Sequence, residues 1–108
     1  DEYSVSIDET HHVHKLDAPS GTALRLAHRI EFERRTTGLK DFKVPITSHR
    51  EGEVPGTHVV KYESAEDTIT LTHEAHSRQG FAYGAVLAAE FLLNQSSGYY
   101  TMDDLITL

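Results

Sequence analysis

At 108 residues, with 38% hydrophobic and 25% charged side chains, the chain has the size and composition of one globular domain with one modest core, which excludes disordered and collagen-like polymers. Ten Lys and Arg against 17 Asp and Glu leave a formal charge of -7, and no basic run is present to neutralise a phosphate backbone, so nucleic acid is disfavoured as a partner. The chain has no cysteine and so neither a disulfide framework nor a thiolate, which fits a cytoplasmic setting. No membrane partner is expected: the longest nearly apolar stretch, Ala85 to Leu93, contains Glu90 and falls far short of the roughly 20 residues of a membrane span, and no signal-peptide pattern precedes it.

Tyr3-Ser4-Val5-Ser6-Ile7-Asp8 alternates apolar and polar residues, which predicts a strand with one buried face that ends where a His-rich segment begins. Ser20 is placed to cap a helix along which Ala23, Leu26, Ala27 and Ile30 recur at helical spacing until Gly38 supplies a stop. Three further strands are expected over 42–49, 57–63 and 68–73, the last two joined by a turn at Ser64 to Asp67. The link Glu51-Gly52-Glu53-Val54-Pro55-Gly56 reads as a loop. From Gly80 to Leu93 the pattern is helical again and apolar over much of the circumference, which calls for cover from outside a domain of this size. The Thr-rich face of the 68–73 strand meets either solvent or a partner sheet. The fold class is therefore α+β, a mixed open sheet of about four strands with two principal helices.

The loop between the first strand and the first helix concentrates the chemistry. A helix that begins after Pro19-Ser20-Gly21-Thr22 presents free backbone N–H groups, two hydroxyls and the positive end of its dipole, a geometry suited to a carboxylate or other anion. A plain capped helix explains the same residues without a ligand. His11, His12 and His14 offer acid–base groups near neutral pH, Lys15 offers a cation or a proton, and Asp17 is placed to orient one of them. Three imidazoles also raise a zinc site. In an extended segment the neighbours His11 and His12 point to opposite sides, and the lysine beside His14 opposes a cation, so no metal is expected.

Glu9 to Ala23, read in order as ETHHVHKLDAPSGTA, closely resembles the signature E-x-H-H-x-x-K-x-D-A-P-S-G-T-A of the dihydrodipicolinate reductase family. Thr72-His73-Glu74-Ala75-His76-Ser77-Arg78 followed by Phe81-Ala82-Tyr83-Gly84-Ala85 is similar to that family's T-H-x-A-x-S-R and F-x-x-G-A segments. Gly98 to Leu105 is similar to its terminal G-x-x-x-M-x-D-[VL], so the likeness spans essentially the whole chain.

The resemblance implies NADPH- or NADH-dependent reduction of a cyclic dicarboxylate, 4-hydroxy-tetrahydrodipicolinate, to tetrahydrodipicolinate in the diaminopimelate route to lysine. Carried onto this sequence, it makes His11 the catalytic acid/base and Lys15 the proton donor, with His12, Ser20, Gly21 and Thr22 binding the substrate carboxylates. It also implies that residues 1–108 form the C-terminal substrate-binding, catalytic and tetramerisation domain, a homotetramer built through the sheet. Residues 79–108 would return toward an N-terminal dinucleotide-binding domain. That domain's Gly-rich G-x-G-x-x-G turn is missing from this sequence, so the cofactor is expected to be held mainly outside it and the chain to be inactive alone. Arg78 sits at the return, where a cofactor contact and a structural ion pair are both open. The competing reading is a stand-alone dicarboxylate-binding or oligomerisation module without catalysis.

Overall fold

The computed structural model describes residues 2–38 and 41–106. The chain divides into two compact units, Asp1–His76 and Ser77–Leu108. The first is a four-stranded mixed sheet with one long helix on it. Its elements are β1 (Ser4–His11), α1 (Gly21–Thr36), β2 (Ile46–Arg50), β3 (Thr57–Glu63) and β4 (Thr68–Glu74). The spatial order is β2-β1-β3-β4, with β1 parallel to β2 and the other two pairings antiparallel.

The alternation in β1 works as expected, with Val5, Ile7 and Glu9 buried on one face. The strand, however, runs three residues further than the apolar pattern, through His11. Pairing from both sides carries it there: Thr10 and His11 lie opposite His49 and Arg50 of β2, and Thr10 opposite Thr57 of β3. The first histidine of the loop is thus the last residue of a central strand.

α1 covers β1 through Ala23 and Ala27, one turn apart, whose small side chains let the helix lie close to the sheet. With Val5, Ile7, Val44 and Val60 they form the core, joined by the partly buried Leu26, Ile30, Phe42, Ile46 and Tyr62. Ser20 caps the helix, its Oγ accepting the Ala23 N–H at 3.1 Å. The helix ends at Thr37, and Gly38 follows at φ +100, where a side chain would be strained.

β2 is shorter than the expected 42–49. Pro45 has no N–H to donate, and the Val44 N–H is taken by the buried Glu31 carboxylate at 2.9 Å, so ladder pairing of residues begins only at Ile46. The β3–β4 hairpin turns where expected, with Ser64 Oγ accepting the Glu66 and Asp67 N–H groups. α1 does not extend over β4: Ile69 and Leu71, which share the helix side of the sheet with Tyr62 and Val60, stay 51% and 61% exposed.

The second unit contains α2 (Gln79–Leu93) and the short α3 (Met102–Leu105), the latter with a Thr101/Asp104 capping box that the residue pattern did not announce. Phe91 and Tyr100 pack edge to face at 5.9 Å, and Tyr100 donates to the Ser96 carbonyl at 2.7 Å. No residue of α2 is fully buried, and within its own unit Phe91 is the one of its side chains seen in a ring contact.

Ile7, 1% exposed at the centre of the core, sets a stability prediction. Ile7→Ala is expected to cost about 2–5 kcal/mol, read from the midpoint of urea unfolding.

Candidate functional site

The site begins with a strand period. Residues 9 and 11 lie on the same face of β1, so Glu9 and His11 are neighbours by strand geometry alone. Glu9 is completely buried, and both of its carboxylate oxygens are held by polar partners. Oε1 lies 2.6 Å from His11 Nδ1 and accepts from Arg50 Nη1 at 2.8 Å. Oε2 accepts from the Ser20 N–H and from Arg50 Nη2, both at 3.0 Å. Burial pushes this carboxyl's pKa up, but the bonds from Arg50, Ser48, His11 and the Ser20 N–H outweigh burial and bring it down to about 2. Glu9 is therefore ionised throughout the physiological range.

Arg50, the last residue of β2, holds the loop as well as the carboxylate. Its Nε donates to the Lys15 carbonyl at 3.3 Å and its Nη2 to the Asp17 carbonyl at 2.6 Å. The Glu51 N–H donates to the His11 carbonyl and the Val13 N–H to the Gly52 carbonyl, which joins the start of the His-rich loop to the link after β2. Contact with Glu9 raises the guanidinium's pKa, so the charge on Arg50 is permanent.

The far edge of the His11 ring lies beside Gly56. A Cβ on Gly56 would stand 3.1 Å from His11 Nε2, and its φ of +155 is a conformation that glycine adopts without strain. His58, on β3, meets His11 edge to face at 5.2 Å, and its Nε2 shares a 3.0 Å hydrogen bond with Ser20 Oγ. Burial, reinforced by His11, lowers the pKa of His58 and so favours its neutral form.

The other residues singled out in the sequence are placed as follows. Lys15 Nζ pairs with Asp17 Oδ1 at 3.0 Å, and that bond lowers the Asp17 pKa. Asp17 thus orients the lysine. The His12 ring lies 5.8 Å from that of His14, which in turn contacts Glu53 at 2.9 Å on an exposed surface, so His12 and His11 have different ring neighbours. Ser20 is 2% exposed, with its Oγ engaged by Ala23 and His58 and its N–H by Glu9. Its Oγ caps the helix. Gly21 and Thr22 are exposed in the first turn, where N–H groups lack intrahelical acceptors, and a Cβ built on Gly21 would meet nothing within 4 Å. No group of three His, Asp or Glu side chains among the described residues is arranged to hold a metal ion.

Glu9 as a clamp, Arg50, His58 and Gly56 are the residues gathered around His11 that reading the residues in order did not single out. Glu9 had a usable signal, an acidic residue two before a histidine on an alternating strand. Arg50, His58 and Gly56 come from other strands and loops and had none.

Two consequences can be measured. Gly56→Ala forces a strained backbone and a contact on His11, and is expected to destabilise by about 1–3 kcal/mol and to move the His11 ring resonances. Glu9 has a folded pKa near 2 against an ordinary 4.5, so its contribution to stability is complete above the ordinary value and is lost as pH falls toward 2. Urea midpoints measured across that range should fall for the natural chain and fall less for Glu9→Gln.

Known proteins resemble this chain in sequence and in fold. The family model described as dihydrodipicolinate reductase, C-terminus, matches residues 1–106. The 4-hydroxy-tetrahydrodipicolinate reductase of Christiangramia forsetii is 49% identical over 113 residues, covering 99% of this chain and 47% of that protein. The Staphylococcus haemolyticus protein of the same name is 42% identical over 115 residues, covering 96% and 48%. The chain thus spans about half the length of the curated relatives it matches. The structure of dipicolinate-bound dihydrodipicolinate reductase from Paenisporosarcina sp. TG-14 matches with a TM-score of 0.69 at 26% identity, over 95% of this chain and 44% of that one. With its sheet, its helix and 106 residues matched by one family model, the chain belongs to the family of dihydrodipicolinate reductase C-terminal domains.

Proposed function

We propose that this chain is the substrate-binding and acid–base part of a reductase that converts 4-hydroxy-tetrahydrodipicolinate to tetrahydrodipicolinate in the diaminopimelate route to lysine. The observation that carries the reading is the sharing of one carboxylate: Glu9 holds the ring of His11 through Oε1 and the start of α1 through Oε2. This links the ring read as the acid–base group and the helix terminus read as the anion site through one side chain, which supports the reading. The names of the relatives and the dipicolinate in the related structure support a cyclic dicarboxylate as the ligand.

In this reading the N–H groups of Gly21 and Thr22, the Thr22 hydroxyl and the His12 ring receive the carboxylates, with Ser20 ordering the turn from behind. His11 exchanges a proton with the reacting centre, and Lys15, oriented by Asp17, supplies the other proton. The hydride donor is NADPH or NADH. The residues of this chain do not fit a dinucleotide: β1 leads into the His-rich loop 12–20, and α1 opens with the single glycine Gly21 in place of a Gly-rich turn. The cofactor is therefore assigned to a dinucleotide-binding domain in the remainder of a full-length reductase, and the chain alone is expected to be inactive. The same reading has the full protein working in the cytoplasm. The sheet face away from α1, which carries Val59, Lys61, Thr70 and Thr72, meets another copy in a homotetramer.

Calorimetric titration of the chain with pyridine-2,6-dicarboxylate tests the proposal. Saturable binding is expected, with His12→Ala and Thr22→Ala each weakening it about tenfold or more, as loss of a charge-assisted hydrogen bond does. Equal affinity in the natural chain and both variants would overturn the carboxylate roles.

A further inference from the structure

Glu9 has no proton to share. It is fully buried, with the two-pronged Arg50 guanidinium and the Ser20 N–H pointing at its oxygens, and every one of these partners is a donor. A carboxylate held in this way is an acceptor in all of its contacts. The 2.6 Å contact from its Oε1 to His11 Nδ1 therefore needs the proton to sit on the imidazole nitrogen. A neutral imidazole has one such proton, so the lone pair falls on Nε2, on the ring edge that lies beside Gly56.

We propose that Glu9 is the positioning residue for His11: it holds the neutral ring in the Nδ1–H tautomer with Nε2 as the proton-exchanging atom, while Arg50 keeps Glu9 from taking that proton itself. Strand geometry makes the arrangement rigid, because both residues project from the same face of β1 and cannot shift register independently. When Nε2 takes a proton, Nδ1–H keeps its hydrogen bond to Glu9 Oε1. Because Oε2 holds the Ser20 N–H, movement of the ring and movement of the α1 terminus are coupled through a single side chain. The inference rests on the acid–base reading of His11, but its test needs neither substrate nor turnover.

Long-range proton–nitrogen spectra of the whole chain report the tautomer directly, with histidine nitrogens labelled and His11 assigned by comparison with His11→Asn. With the ring in its neutral form, His11 is expected to carry its proton on Nδ1 as a downfield, slowly exchanging signal. Glu9→Gln, whose amide cannot accept at every contact, should lose that signal and move the balance toward Nε2–H. A wild-type His11 protonated on Nε2 would overturn the proposal, as would a folded Glu9→Gln that keeps the downfield Nδ1 proton. If Glu9→Gln does not fold, the wild-type spectrum alone decides between the two tautomers. Loss of dicarboxylate binding would remove the acid–base reading and leave the tautomer result intact, whereas an Nε2–H ring would remove this inference and leave binding intact.

Discussion

Burying a carboxylate without compensation costs far more than one side chain's hydrophobic burial returns, so a fully buried Glu9 demands that its surroundings be built around it. The surroundings come from three directions. β2 supplies Arg50, the start of α1 supplies the Ser20 N–H, and β1 itself supplies His11 two residues on. Each partner is fixed by a different element, and the elements meet only if the sheet order is β2-β1-β3 with α1 across it. Fold and site are thus two descriptions of one constraint.

Arg50 carries that constraint outward. Besides the paired contact with Glu9, it binds the carbonyls of Lys15 and Asp17, so the loop that bears the lysine is held by the same guanidinium that neutralises the carboxylate. A lysine could not replace it, because a single ammonium has no planar fork to face two oxygens while reaching two carbonyls. The parallel pairing of β1 with β2 matters for this reason: it brings the ends of both strands, His11 and Arg50, to the same edge of the sheet.

The apolar surface is distributed unevenly. α1 covers β1 and the near side of β3, while Ile69 and Leu71 on β4 remain exposed, and in the second unit α2 has no buried residue. Each unit thus keeps apolar side chains in contact with solvent.

Much of this was legible in the residues themselves. Period-two alternation placed β1 and β4, β-propensity placed β3, the Ser20 cap and Gly38 bounded α1, and the ordered motif from Glu9 to Ala23 named the family, because local propensity and motif spacing are properties of contiguous chain. Other features depended on contacts between distant segments. β1 extends through His11 because two neighbouring strands pair with it. β2 starts late because Glu31, thirteen residues from Val44, takes that residue's N–H. Ser20, legible in the residues as the helix cap and set by the motif beside Gly21 and Thr22, is also bonded to Glu9 and His58, which reach it from β1 and β3. The sequence by itself determined which residue types were available and which strand face each would occupy. Only the tertiary structure decided that Arg50, forty-one residues along the chain from Glu9, would be its counter-ion, since ion pairing follows distance in space and leaves no periodicity to read.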